Sequence, residues 1–520
     1  MYIESQFLMV SHRFRWVFCQ LETLRHCLPP SVRRILAELP ETLDATYERI
    51  FQEIPKSNQV YAHRLLQCLT VASRPLRVKE LAEVLAIDFS ASDEIPKLNE
   101  ALRWEDQEQA VLSACSSLIA VIKDGDSRVV QFSHFSVKEF LTSDRLATSK
   151  MDASRYHHIL LEPAHTIMAR ACLCVLLRFD SHTDEASVVN FPLAEYAAEH
   201  FGDHAEFEGV LSHMLGDVDP LLDADKLHFA AWVRMCPLGH LPHSQLDVIP
   251  MYYVAARGYR GLVDYLISKR PEDVDIKGIH GTPLHAALGE GYADVAQLLL
   301  RHCVNVDVRD SRGRTPLHLA AYHGILGVTR TLVERNVDIN ARDGSGDTPL
   351  HLTMDGWHHK SEILQDGRID VVKILLEHDA GADAKNDRHI TVLHAASYYG
   401  SVKGINLVLE HGANIHARDK ERRTPLHRVL VGLADEWDIF VESARCLLEH
   451  GADADALDVG HETPLHLASR QGSVKCARVL LEHGANVHLE DKMGRIPFQV
   501  SWVRDIALSL SEPLQSQQKM

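Results

Sequence analysis

No C-x-x-C pair occurs in these 520 residues; the ten cysteines are scattered, and the closest two are Cys172 and Cys174. That pattern excludes a disulfide framework, a zinc ribbon and a dithiol redox motif, and reads as a reduced, intracellular protein whose cysteines fill space. No G-x-x-x-x-G-K-[ST] loop is present, and no glycine is followed by lysine and then serine or threonine. The backbone cradle that such a loop builds for phosphates is therefore missing. The longest strongly apolar run, Ala171–Leu177, is far short of the roughly 18 to 20 residues of a membrane span. Glu4 and His12-Arg13 interrupt the apolar residues of the N-terminus, so no signal peptide is read and a cytoplasmic location is expected. Positive charge is in deficit as well. Lys+Arg number 54 against 72 Asp+Glu, a net −18, which argues against non-specific nucleic-acid or anionic-membrane binding.

What remains is the composition of a folded protein, 46% hydrophobic and 24% charged, long enough for several domains. Thirty-three histidines invite a metal reading, but no H-E-x-x-H occurs. His461-Glu462-Thr463-Pro464-Leu465-His466 has the wrong spacing, and its proline would disrupt the helix a zinc site needs. No local motif supports a catalytic Cys–His pair. No enzyme activity, metal or cofactor is expected. The pairs His157-His158 and His358-His359 read as surface residues.

Five verbatim copies of Thr-Pro-Leu-His begin at Thr282, Thr315, Thr348, Thr424 and Thr463, with a variant, Thr391-Val392-Leu393-His394, among them. Successive spacings are 33, 33, 43, 33 and 39 residues. Worn copies stand one period outside, at Ile249-Pro250-Met251-Tyr252 and Ile496-Pro497-Phe498-Gln499. A period of about 33 with this phrase is the ankyrin-repeat signature. It predicts about eight repeats over 243–510, the first and last degenerate, and a tail at 511–520.

The first half shows helical spacing broken by prolines. A short apolar motif fills Phe14–Leu24, and helices are expected at Val32–Glu38 (capped by Ser31), Thr42–Glu53, Tyr61–Ala72, Val78–Leu85 and Gln107–Ser116. Leu118–Ile122 and Val129–Phe132 are β-rich and flank the polar turn Lys123–Ser127, a hairpin signal. Helix His134–Leu141 follows. Helices and then a hairpin describe a winged-helix domain over 31–147. Residues 148–242 read as a helical connector (His157–Phe179, Pro192–His200, Phe207–Leu215) whose last part caps the repeat stack, since a solenoid end needs cover. The expected fold is mostly α: a winged-helix domain and helical connector followed by an ankyrin-repeat solenoid.

Three stretches carry a resemblance: Phe14–Leu24; Leu39-Pro40-Glu41-Thr42-Leu43-Asp44 with Tyr47-Glu48-Arg49-Ile50; and Phe132–Leu141. With the repeats, they resemble the fungal NACHT–ankyrin proteins, signal-transduction ATPases akin to NOD-like receptors. The resemblance makes 1–30 the end of a NACHT ATPase domain and the next segment its winged helix. Because the P-loop is absent, the family's ATPase activity is not carried over. The chain corresponds to the C-terminal part of such a receptor, through natural truncation or a missing upstream exon.

Within a repeat, proline sits at the first turn of helix one, threonine caps it, and histidine is expected to tie it to the next repeat. Gly291, Gly324, Gly400 and Gly472 end that helix, and Asp310, Asp343, Asn386, Asp419, Asp458 and Asp491 form the hairpin tips. Binding falls to the variable flanks: Arg312, Arg314, Tyr322, His323, Arg388, Tyr398, Tyr399, Lys420, Arg423 and Arg470. Lys492 and Arg495 extend this basic stripe, and Tyr and Arg are enriched in binding hot spots. A protein partner with an acidic patch is expected, with no nucleic acid and no membrane. The ten and six extra residues of the long spacings, containing Trp357 and Trp437, read as idle loops. The functional expectation is a docking scaffold serving a NOD-like receptor-type protein. A stand-alone adaptor and a DNA-binding regulator reading through Val78–Leu85 are the alternatives; that helix offers only Lys79 beside Glu80 and Glu83.

Overall fold

A computed structural model describes residues 42–500 apart from 90–94, 116, 126, 150–151, 181–182, 184, 224–226, 237–248, 279, 304, 355–361 and 432–436. The expectations for Phe14–Leu24, Val32–Glu38, Trp357, His358-His359 and the tail lie outside these residues. The chain divides between Pro250 and Met251 into two compact units.

The first unit opens with α1 (Leu43–Glu53), capped by Thr42, whose side chain accepts from the Ala45 N–H at 3.1 Å. Tyr47 and Phe51 are its buried face. Then come α2 (Gln59–Val71), β1 (Leu76–Arg77), α3 (Val78–Leu85), β2 (Ile87–Asp88), β3 (Lys97–Leu98) and α4 (Gln107–Cys115). The predicted hairpin forms as β4 (Ile119–Asp124) and β5 (Ser127–Phe132), turning at Gly125 with φ +57°. Its strands run further into the turn than the β-rich residues alone suggested, in the register Ile119↔Phe132 to Asp124↔Ser127. Unforeseen is β1, which pairs antiparallel with β5 and makes a three-stranded sheet of order β1-β5-β4. Two residues are too few to read as a strand from alternation. Helix α5 (Phe135–Leu141) follows, capped by His134, which accepts the Ser136 N–H. The helix–strand–helix–helix–hairpin order is that of a winged helix.

The helices that continue the chain are α6 (Asp144–Ala147), α7 (Asp152–Tyr156), α8 (Leu161–Leu176), α9 (Glu185–Val188), α10 (Ala194–Ala205), α11 (Leu215–Leu222) and α12 (Leu227–Met235). The expected helix Phe207–Leu215 does not form. Gly209 takes φ +87°, which an α-helix cannot accommodate, and the chain instead makes a 3-10 turn, Leu211–His213, before α11. These helices share one core with the winged helix, because α8 packs against both α10 and α2. Polar links reinforce the joint. Tyr196 Oη accepts the Ser73 N–H at 3.1 Å, Glu83 Oε2 accepts the Leu193 N–H at 2.7 Å, and Arg77 pairs with Glu195. In α12 the Trp232 indole donates to the Ala198 carbonyl at 2.9 Å and packs edge-on against Phe201.

His157 is a correction. It is fully buried rather than at the surface, its ring stacked on Phe51 at 4.8 Å. Neither ring nitrogen has a hydrogen-bond partner among the described residues, and burial lowers its pKa to about 4. Cys68, Cys172 and Cys174 are buried free thiols, as space-filling cysteines should be.

The second unit is a succession of antiparallel helix pairs, seven among the described residues. They are α13 (Pro250–Ala256) with α14 (Arg260–Lys269), α15 (Pro283–Gly289) with α16 (Ala293–His302), and α17 (Pro316–His323) with α18 (Leu326–Glu334). Next are α19 (Pro349–Leu352) with α20 (Glu362–Glu377) and α21 (Val392–Tyr398) with α22 (Val402–Glu410). Last are α23 (Pro425–Val429) with α24 (Trp437–Glu449) and α25 (Pro464–Gln471) with α26 (Val474–Glu482), followed by a 3-10 turn at Pro497–Val500. Leu284, Leu317, Leu350, Leu393, Leu426 and Leu465, each the third residue of the phrase, are buried in the stack.

Candidate functional site

The phrase builds a ladder of histidines. In each repeat the Thr N–H donates to histidine Nδ1, so the neutral ring carries its proton on Nε2 and donates it to a carbonyl of the next repeat. His285 reaches Arg314 O at 3.2 Å, His318 Asp347 O at 3.1 Å and His351 Ile390 O at 3.1 Å. His394 reaches Arg423 O at 3.0 Å, His427 Glu462 O at 3.1 Å and His466 Arg495 O at 2.9 Å. All six rings are buried. Burial holds His285 and His394 at a pKa of about 4 and lowers His318, His351 and His427. A neutral, doubly bonded, buried imidazole has nothing left for a ligand.

The hairpin tips are built as expected. Asp310 Oδ1 accepts the Arg312 and Arg314 N–H groups, and Asn386 and Asp419 do the same for their tips. Adjacent tips then bond through the backbone: Gly344 N to Arg312 O at 2.8 Å, Lys420 N to Arg388 O at 3.1 Å, Val459 N to Glu421 O at 2.9 Å. A basic residue six before the Thr adds a second strap. Arg342 donates to Lys385 O and Arg418 to Leu457 O, while Arg309 donates to Arg342 O.

Against this frame the ten candidate residues divide. Arg314 is bound to Asp310 at 2.8 Å; Arg423 lies 3.5 Å from Glu421 and 3.6 Å from Asp458; Arg470 pairs with Glu462. Arg495 is likewise bound to Asp491. His323 reaches back to the Gly289 carbonyl at 2.9 Å. Tyr322 carries the buried Arg368 guanidinium over its ring at 5.4 Å. Arg312, Arg388 and Lys420 are exposed at the tips. The stripe thus has less free positive charge than its composition suggests.

Arg388, Tyr398 and Tyr399 are brought together. They line a cavity of about 490 Å³ with Asp347, Asn386, Ile390, Leu352, Ala395, Arg428, Val431 and the edges of His351 and His394. Helix one is short on both sides of α21. Helix α19 stops after 4 residues and α23 after 5, where α15, α17, α21 and α25 run to 7 or 8. Tyr398 and Tyr399, their rings edge-to-face at 5.0 Å, stand at the end of α21. These short helices belong to the two stretched repeats, whose second helices are correspondingly long, 16 residues in α20 and 13 in α24. The extra residues are thus in part helix rather than loop. Arg428 was missed by sequence reasoning, although it left a signal. Four residues after the Thr the other repeats carry Ala286, Leu319, Leu352, Ala395 or Leu467. Asp419 and Glu421 hold its guanidinium, at 2.8 Å to Nε and 3.1 Å to Nη2.

One position on the tips is strained. It is glycine at Gly313, Gly346 and Gly494, with φ from +71° to +76°. In the tips between them it is His389, Arg422 and His461, at φ +56° to +58° and all exposed. A side chain in that region is disfavoured by about 1 to 2 kcal/mol, partly offset by the larger unfolded-state entropy of glycine. Arg422→Gly is therefore expected to stabilise the repeat unit by a net of about 0.5 kcal/mol, read as a higher denaturation midpoint of the full chain.

Among the described residues no group of three or more His, Cys, Asp or Glu could hold a metal, and no helix is long and apolar enough to cross a membrane.

Comparison with known proteins agrees with this architecture. Residues 47–151 match the family "GPI inositol-deacylase, winged helix domain", and 251–343, 343–419 and 418–491 match ankyrin repeats in three copies. Azaphilone pigments biosynthesis cluster protein L of Monascus ruber is 31% identical over 295 residues, 51% of this chain and 60% of that protein. Potassium channel AKT2/3 of Arabidopsis thaliana is 24% identical over 194 residues, 36% of this chain and 22% of the channel. The chain thus spans about three fifths of the first relative's length and about a fifth of the second's. The human ASB11 ankyrin repeat domain aligns with 44% of this chain and 97% of its own, at 24% identity and a TM-score of 0.38. The chain carries a winged-helix domain of the GPI inositol-deacylase type and, after it, ankyrin repeats.

Proposed function

We propose that this chain is a non-enzymatic docking scaffold, located in the cytoplasm, whose ankyrin repeats hold a protein partner with an acidic patch. It serves as the sensor part of a NOD-like receptor-type signalling protein. One observation carries the docking reading: Arg388, Tyr398 and Tyr399 converge on an open cavity, whereas the repeated phrase is buried and fully hydrogen-bonded. Aromatic and arginine side chains around a concavity are the composition of an interface centre. The receptor reading rests on the winged helix joined to ankyrin repeats, the arrangement of the NACHT–ankyrin proteins this sequence resembles. The NACHT engine then lies upstream in the same polypeptide or in a second one.

A DNA-binding role is disfavoured by the fold. The topology makes α4 (Gln107–Cys115), rather than α3, the second helix of the helix-turn-helix, which is the one that reads the major groove. It contains no lysine or arginine, and α3 is buried at every position but Lys79.

A photo-crosslinking amino acid placed at Tyr398 or, as control, at Lys403 tests the docking reading in cells expressing the full chain. Discrete crosslinked protein adducts at 398 and none at 403 are expected. Adducts at neither position, or equally at both, contradict it.

A further inference from the structure

We infer that the cavity beside α21 takes one bulky apolar side chain from an extended acidic segment of the partner, with an adjacent carboxylate held by Arg388. This rests on the docking reading above and adds the chemistry of what is docked.

The volume, about 490 Å³, lies within the roughly 300 to 1,000 Å³ of pockets that enclose small ligands. It has room for one large side chain and the main chain beside it. Its walls are apolar where a side chain would enter: Leu352, Ile390, Ala395, Val431 and the two tyrosine rings. The polar wall groups are already committed. His351 and His394 use both ring nitrogens within the ladder. Asn386 gives its amide N–H to Asp347 at 2.8 Å and its carbonyl oxygen to the Arg388 and Ile390 N–H groups. Arg428 is held by Asp419 and Glu421.

Arg388 stands apart. It is exposed, and no carboxylate of the described residues pairs with it. Its tip is bonded to the next through Lys420 N and Arg388 O, and that tip exposes Lys420 and Arg422, also without ion pairs among the described residues. Arg388 lines the cavity with one carboxylate, Asp347, and Lys420 and Arg422 lie on the adjoining tip, so this edge favours an anion on a protein that is acidic as a whole.

The test selects phage-displayed linear peptides, unmodified and random in sequence, on the immobilised full-length chain. The selected peptides are then titrated against purified Arg388→Glu, Val431→Arg and Tyr398→Ala/Tyr399→Ala proteins. The expected consensus is a large apolar residue with Asp or Glu within two positions of it. Arg388→Glu should weaken binding by about tenfold or more, as loss and reversal of a rim charge does. Replacing the peptide acid by lysine should recover part of that loss. Val431→Arg should abolish binding. If the tyrosine variant weakens binding but the consensus lacks an acid, or Arg388→Glu has no effect, the acidic-anchor inference is overturned and the docking reading stands. If no substitution at the cavity affects any selected peptide, both fall. Circular dichroism of each variant keeps loss of fold apart from loss of contact, and the exposed Arg388 is the variant least exposed to that confusion.

Discussion

Acidification from pH 7 to pH 4 is expected to destabilise the repeat unit steeply. The cause is the histidine ladder. In the unfolded chain a histidine takes up its proton near pH 6.5, while burial holds His285 and His394 neutral down to a pKa of about 4. Between those values the unfolded state binds more protons, so stability rises with pH across the window and is lost as pH falls through it. At about 1.4 kcal/mol per pKa unit, each of these two contributes on the order of 3 kcal/mol that is present above pH 6.5 and gone below pH 4. His318, His351 and His427 are shifted in the same direction by the same burial. A protonated ring also turns Nδ1 from acceptor into donor against the Thr N–H, so the loss falls on the bond that caps helix one. Native-state hydrogen exchange on the full chain from pH 7 to 4, extrapolated for intrinsic rates, measures this repeat by repeat. Protection in α15–α24 should fall steeply below pH 6.5, and His394→Gln should flatten the slope at α21 and α23. Protection independent of pH would mean that the rings are not buried neutral.

The second large effect is expected in the first unit, at a buried acid. Glu80 is fully buried on α3, and its carboxylate accepts from both terminal nitrogens of Arg74, at 2.8 and 3.0 Å, and from the Arg77 N–H at 2.7 Å. Arg74 in turn lies over the Tyr196 ring at 4.9 Å, so the pair also stitches the winged helix to α10. Arg74→Met leaves the carboxylate buried with one backbone donor and the more distant Arg77 guanidinium, 3.6 Å away. Stranding a buried charge costs about 3 to 5 kcal/mol. The residual donors and the partial exposure of Arg74 place this case near 3 or below. Because the penalty is desolvation, the double variant Arg74→Met/Glu80→Met should recover most of it. Urea denaturation of both variants, followed by hydrogen exchange in α2, α3 and α10, decides the matter. Equal destabilisation of single and double variants would show that lost packing on Tyr196, rather than the stranded charge, sets the cost.

Much of this architecture was legible before any coordinates. Val78–Leu85 begins and ends as its apolar spacing predicts, and the histidine-to-next-repeat bond follows from a polar residue at a fixed place in a stacked helix. What stayed hidden was non-local. Glu80 and Glu83 read only as acids beside Lys79, because their partners, Arg74 and the Leu193 N–H, come from a preceding turn and from a segment 110 residues away. His157 read as surface because its covering rings, Phe51 and His63, lie about a hundred residues upstream. The cavity was invisible for a different reason. Spacings of 43 and 39 count the extra residues but do not say that they shorten one helix and lengthen the next. The tyrosines were found from composition; the recess that gives them something to hold had to be seen.

In the proposed docking mode, partners bind at the flanks of the repeated phrase around α21 and leave the phrase itself untouched. Hydrogen exchange of the full chain, with and without a saturating peptide selected against it, tests this most directly. Slowed exchange at 386–390, 395–399, 419–423 and 428–431, with the phrase residues 391–394 and 424–427 and helices α20, α22 and α24 unchanged, is the predicted result. Protection on those second helices alone, or none in the two tip segments while the peptide is bound, would contradict it.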